Sequence, residues 1–276
     1  MPIGAPSALG PQFAAQRVVS LGGGHGLAAS LSALRYLTTD ITAVVTVADN
    51  GGSSGRLRDE LGVLPPGDLR KALAALCGDD EWGRTWANVL QHRFASTGEL
   101  HGHAVGNLLI VALWELLEDH VDGLDWVARL LGARGRVLPM TSVPLDIEAV
   151  VRGDRSGEDR LRTVRGQAQV AVVDGDVVSV SLDPADPPAC PEAVQAIHDA
   201  EWVVLGPGSW FTSVIPHLLV PGLFTALHET SARRAVVLNL AEQPGETEGF
   251  SPERHLEVLA AHAPELTVDV VLADPG

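Results

Sequence analysis

The sequence predicts an α/β fold: a Rossmann-like, doubly wound, mostly parallel sheet with a helical lobe and a β-rich middle insertion. Three observations predict it. Short β-branched apolar runs alternate with helical patterns at both ends of the chain, as in βαβ units with right-handed crossovers. The middle changes to closely spaced short strands. Several apolar runs stop at glycine-rich turns, where open parallel sheets bind ligands. The chain has 276 residues, 46% of them apolar, which suits one extended core over 17–276 behind a loose tail, 1–16.

The elements follow in order. Residues 17–21 (RVVSL) form a strand that ends in glycines, and Leu27, Leu31 and Leu34 follow at helical spacing. Residues 41–47 (ITAVVTV) are continuously apolar, as a parallel strand covered on both faces is. The polar stretch 48–58 reads as a loop. A proline turn at 65–68 starts a helix over 69–77, and helical patterns continue over 86–94, 105–117 and 124–131. Four helices in a row place a lobe, about 67–132, outside the sheet. Residues 136–140, 146–152, 161–164 and 169–182, the last turning at Asp174-Gly175-Asp176, read as strands of the β-rich segment, about 136–182. The βα alternation then returns, with helix 192–200, strand 202–205, helix 213–228, strand 235–240, helix 252–262 and strand 268–272.

Charge and composition exclude several function classes. A formal charge of −16 argues against nucleic acid, whose binding needs clustered cations. A small anionic ligand needs only a few N–H donors and arginines. No run of 18 apolar residues marks a membrane span, and the start of the chain lacks a signal-peptide pattern. Cys77 and Cys190 are too few for a disulfide framework, so a cytoplasmic setting is expected. Lys71 is the sole lysine, which confines any lysine-nucleophile chemistry to one position. An isologous homodimer is the base-rate expectation.

The chemistry concentrates at the turns after strands. Gly22, Gly23, Gly24, His25 and Gly26 join the first strand to the first helix, where bare backbone and a helix amino end can meet a phosphate. Leu27 stands where the dinucleotide fingerprint G-x-G-x-x-G needs its third glycine, and no Walker motif is present. The second strand runs into Asp49, Asn50, Gly51, Gly52, Ser53, Ser54 and Gly55, then Arg56 and Arg58. These offer a carboxylate, open amides, hydroxyls and guanidinium forks to a phosphate in a shared site. Asp68 is either a helix-capping residue or a ligand. His101 and His103 lack a third metal ligand nearby, so Asn107 and its glycine neighbour are read as a helix entry into the site. The turn holding Gly206, Gly208, Ser209 and Thr212 is a further anion nest or a tight turn. Asn239 and Gln243 could read a base or sugar edge, and Phe250 is a base-stacking residue or a core anchor. No G-x-S-x-G nucleophile elbow is present.

Taken together and in this order, 22–26, 46–58 (TVADNGGSSGRLR), 65–70 (PPGDLR), Gly102-His103 with 106–109 (GNLL), 206–213 and 243–247 (QPGET) resemble the bacterial gluconeogenesis factor family. These are UDP-sugar-binding proteins related in fold to 2-phospho-L-lactate transferase, and the resemblance spans 18 to about 262. It implies a Rossmann-like core and binding of UDP-N-acetylglucosamine or a related nucleotide diphosphate. It also implies roles in gluconeogenic growth, cell-wall synthesis and cell shape, with no reaction specified. The related transferase moves a phospholactyl-type group from a nucleotide diphosphate to a deazaflavin. By that likeness Asp49 and Asp68 are the residues for a metal such as magnesium. His25 replaces a small hydroxyl residue, Asn50 a second aspartate and Phe250 a tyrosine of the family pattern. Relatives also continue beyond the last strand through a segment carrying an arginine.

Overall fold

The computed structural model describes residues 16–153, 160–243 and 246–274; the expected tail, but for Gln16, and Pro244-Gly245 of the QPGET stretch lie outside them. Strands β1 (Arg17–Gly22), β2 (Asp40–Val45), β3 (Arg136–Pro139), β7 (Trp202–Leu205), β8 (Arg233–Val237) and β9 (Val270–Leu272) build a six-stranded sheet. Its order is β3-β2-β1-β7-β8-β9, and every pairing is parallel. The order reverses between β1 and β7, which sets a crevice at their carboxyl ends. β1 and β2 are apolar and buried over most of their length because helices cover both faces. A second sheet, β5-β4-β6, is antiparallel and built from β4 (Asp146–Arg152), β5 (Leu161–Arg165) and β6 (Asp176–Asp183).

Helix α1 (Gly24–Leu34) crosses from β1 to β2, burying Leu27 and Leu31. After β2 come α2 (Gly52–Leu61), α3 (Gly67–Ala75), α4 (Glu81–Gln91), α5 (Val105–Leu117) and α6 (His120–Leu131), all before β3. The later helices are α7 (Gln167–Val170), α8 (Pro191–Asp199), α9 (Ile215–Leu218), α10 (Pro221–Glu229) and α11 (Pro252–His262).

Three expectations need correction. The stretch 48–58 is a loop only as far as Gly51; from Gly52 it is α2, because Ser53, Ser54, Gly55 and Leu57 are drawn into the protein. Tertiary burial outweighs the weak helix preference of Gly and Ser. Residues 167–170 form α7 rather than the first half of a hairpin, so only β6 of the expected pair exists. The single helix at 213–228 is three pieces: a π-helical turn at Trp210–Val214, then α9 and α10, with Pro216 and Pro221 at the starts of the latter two.

The turns after β1 and β7 meet backbone to backbone. A Cβ on Gly26 would lie 2.3 Å from Pro207 O and 2.5 Å from Gly208 Cα. Beneath them, Thr46 Oγ1 lies 2.9 Å from Ser213 O and 3.3 Å from Gly22 O. His217 Nε2–H donates to Val44 O at 3.1 Å, with Nδ1 3.5 Å from Thr46 Oγ1. His217 is fully buried, and that desolvation pushes its imidazole down to about 4.

Two outcomes follow. Gly26→Ala should destabilise the fold by about 1–3 kcal/mol in urea unfolding, since the obstacle is backbone, while His25→Ala at the exposed neighbour stays within about 0.5 kcal/mol. His217 must stay neutral when folded but charges readily when unfolded. Its contribution is therefore complete above the unfolded value of about 6.5 and is lost as pH falls toward about 4. Wild type should lose about 3 kcal/mol more than His217→Gln over that window, read as urea midpoints at pH 7.5 and 4.5; parallel pH curves would refute this.

Candidate functional site

The crevice is walled by the amino ends of α1 and α2, the turn 206–209 and the segment after β8. Gly23 precedes α1 and Gly51 precedes α2, both extended and without a side-chain cap, whereas Asp80, Asp119 and Ser251 cap α4, α6 and α11. Backbone N–H groups and the positive ends of two helix dipoles are thus left for an anion. Gly24 lies at the mouth with His25 exposed beside it. The Gly24 N–H, however, already donates to Asp68 Oδ2 at 2.8 Å.

That contact bears on the expected metal site. Asp68 is buried, and its Oδ1 is paired with Lys71 Nζ at 2.9 Å, so both oxygens are occupied. Asp49 turns Oδ1 to the Gly51 N–H at 2.9 Å, fixing the loop before α2. Among the described residues no three His, Cys, Asp or Glu side chains gather for a metal. These two carboxylates do not form a cage, and magnesium would have to be held mainly by a ligand's own phosphates.

Several predicted ligand residues are spent on the protein itself. Asn50 accepts from the Ala168 N–H at 3.0 Å and donates through Nδ2 to Gln169 Oε1 at 2.8 Å, tying the loop to α7. An aspartate there could accept but not donate. Arg56 donates to Glu99 O and His101 O, and Arg58 to Leu145 O and Asp146, so both forks are already engaged by the protein. Asn239 forms a two-way pair with the Gly208 backbone, at 2.8 and 2.9 Å, and props the turn after β7. Ser209 O accepts from Ser213 N–H and Val214 N–H, closing the π-helical turn. Thr212 donates to Glu246 Oε1 at 2.6 Å, while Glu246 Oε2 accepts the Phe211 N–H. Burial pushes the Glu246 carboxyl up from the usual carboxylate range, against the pull of these hydrogen bonds.

Ser53 and Asn107 do meet, as a buried node between α2 and α5. Ser53 Oγ accepts from Asn107 Nδ2 at 3.0 Å and from Ala104 N–H at 3.4 Å, leaving its proton for His103 Nδ1 at 3.0 Å. Burial first, and the nearby Arg56 charge second, lower the His103 pKa, which keeps the imidazole a neutral acceptor. Ser54 is buried beside this node in α2, and Gly52 is exposed at the helix start.

At the carboxyl ends of β8 and β9 lies a cavity of about 230 Å³ lined by Leu238, Asn239, Phe250, Pro252 and His255 among others. Phe250 is half-buried, edge-on to Phe211 and His255, with the Arg254 guanidinium 5.8 Å from its ring centre. It combines both roles open to it, a core anchor that also walls a cavity. Gln243 lies beside this segment, its Oε1 buried without a partner. The sequence reading carried Arg70 and Glu246 only within the stretches 65–70 and 243–247, and it missed His103 as an acceptor and His217. Arg70 is 2% exposed on α3, and its signal was an arginine packed between Leu69, Ala72 and Leu73.

Among the described residues no single helix is long and apolar enough to cross a membrane. A Mycobacterium leprae protein described as a "putative gluconeogenesis factor" is 61% identical over 257 residues, which cover 93% of this chain and 72% of that protein. The gluconeogenesis factor of Listeria monocytogenes is 37% identical over 256 residues, 93% of this chain and 76% of that one. A crystal structure of a UPF0052-family protein from Bacillus halodurans superposes with a TM-score of 0.85 at 36% identity, covering 95% of this chain and 81% of that one. The family model described as 2-phospho-L-lactate transferase CofD matches residues 18–276, and the chain belongs to that family.

Proposed function

We propose that this chain is a cytoplasmic nucleotide-sugar-binding regulatory protein that holds UDP-N-acetylglucosamine or a related UDP-sugar and acts in gluconeogenic growth, cell-wall synthesis and cell shape. The observation that carries the reading is the convergence of the amino ends of α1 and α2, neither capped by the residue that precedes it, with the Gly206–Ser209 turn at one crevice. Such an arrangement supplies fixed N–H donors for a diphosphate without a lysine or a metal. The cavity beside Phe250 has one aromatic wall and apolar neighbours, which suits a base. The helical lobe, about 67–132, and the β-rich segment, about 136–182, then serve as parts of one domain around that crevice.

A second reading is a metal-dependent transferase moving a phosphoryl-linked group from a nucleotide diphosphate. The family model favours it. The pairing of Asp68 with Gly24 and Lys71 favours binding over turnover, because a metal would have to compete with the Lys71 ammonium and the Gly24 N–H for that carboxylate.

Thermal unfolding with UDP-N-acetylglucosamine, GDP and NAD, each with and without magnesium, separates the readings. A UDP-sugar at 100 times its dissociation constant should add about 2.7 kcal/mol of stability, with no product formed. Magnesium-dependent consumption of the nucleotide, lost in Asp49→Ala, would establish the transferase instead. A shift with NAD alone would defeat both.

A further inference from the structure

Arg70 presents an electrostatic imbalance. Its side chain is 2% exposed, yet none of the ion pairs among the described residues includes it. One nitrogen, Nη1, donates to the amide oxygen of Gln91, and Nε is buried without a partner. Asp68, two positions earlier, is satisfied by Lys71 and Gly24. The charges of Asp68 and Asp49 reach Arg70 only over a longer range, and the like charge of Arg93 opposes them. Burial, helped by Arg93, pushes the guanidinium down to about 10, so it remains a cation at neutral pH. A buried cation without a counter-ion is costly, and protein interiors pair such groups.

The surroundings fit an anion. The Arg70 stem runs against Gly106 in the first turn of α5, where a Cβ would lie 2.8 Å from its Cγ and 2.9 Å from its Cδ. The amino end of α5 follows Ala104 without a side-chain cap, so its dipole adds positive potential there. Arg93, whose charge is felt at Arg70, is exposed and donates to Gly102 O at 2.7 Å. Asn107, next to Gly106, is 1% exposed and keeps Oδ1 without a partner, an acceptor waiting for a hydroxyl or N–H.

We propose that Arg70, with Arg93 and the amino end of α5, forms a second anion subsite that takes a carboxylate carried by the sugar portion of the bound ligand. A planar carboxylate matches the guanidinium fork, and Asn107 Oδ1 accepts from a neighbouring hydroxyl of the same sugar. The inference rests on the nucleotide-sugar reading and adds to it a preference for an acidic sugar over its neutral counterpart, since a neutral sugar leaves Arg70 uncompensated.

Two matched ligand pairs test it by calorimetry: UDP-glucuronate against UDP-glucose, and UDP-N-acetylmuramate against UDP-N-acetylglucosamine. In the first pair a carboxylate replaces the C6 hydroxymethyl group, and in the second it is carried on a lactyl ether at O3, so the two pairs place the charge on different sides of the ring. At least one acidic sugar should bind about tenfold or more tightly than its neutral partner, the gain expected of a charge-assisted hydrogen bond. Arg70→Met should bring that pair to within about twofold, and Arg93→Gln, at an exposed position, should narrow it as well. If Arg70→Met does not fold, Arg93→Gln carries the comparison. Equal affinities within both pairs, or a preference that survives the substitutions, overturn the subsite alone. Absence of binding by all four ligands overturns the nucleotide-sugar reading and the subsite with it.

Discussion

The whole site depends on one contact that side chains would forbid, the approach of Gly26 to the backbone of Pro207 and Gly208 at the point where the strand order reverses. It brings the turn after β1 onto the turn after β7, and other groups hold that junction from several sides. Asn239 ties the second turn to the end of β8. Thr46 joins the end of β2 to Gly22 and Ser213, and His217 reaches Val44 from below. Four parallel strands therefore deliver their carboxyl ends to one crevice through polar groups sealed from water. Buried, satisfied networks of this kind fix one arrangement in preference to several nearly equal ones.

The fold was legible where the physics is local. Strand 202–205 and the helices 105–117 and 252–262 have the bounds their apolar spacing predicts, because period and burial agree there. The stretch 48–58 misled because glycine and serine favour a loop locally, while packing of Ser53, Ser54 and Leu57 decides for a helix. The break within 213–228 was written in Pro216 and Pro221, whose ring and missing N–H interrupt a helix unless they stand at its start.

The site was legible as a set of residues but not as a set of roles. Polar side chains after strand ends do gather, yet Asn50, Arg56, Arg58, Thr212 and Asn239 brace the crevice. Sequence shows which groups can donate or accept and cannot show whether the protein has already claimed them. The departure at position 50 illustrates this: only an amide satisfies a donor from Ala168 and an acceptor on Gln169 together. Arg70 was hidden for the opposite reason, since an arginine inside an apolar helix face is usually a snorkelling surface residue.

The pairing of Lys71 with Asp68 has a consequence for chemical probing. Lys71 carries the sole side-chain amine of the chain, and it is 23% exposed. Acylating reagents therefore have one internal target, an ammonium held by the carboxylate that also fastens the first helix. Its reactivity is a local gauge: slow while Asp68 binds it, faster once that carboxylate turns to another cation. Mass spectrometry of a single modified lysine would then follow rearrangement of the crevice without any engineered label.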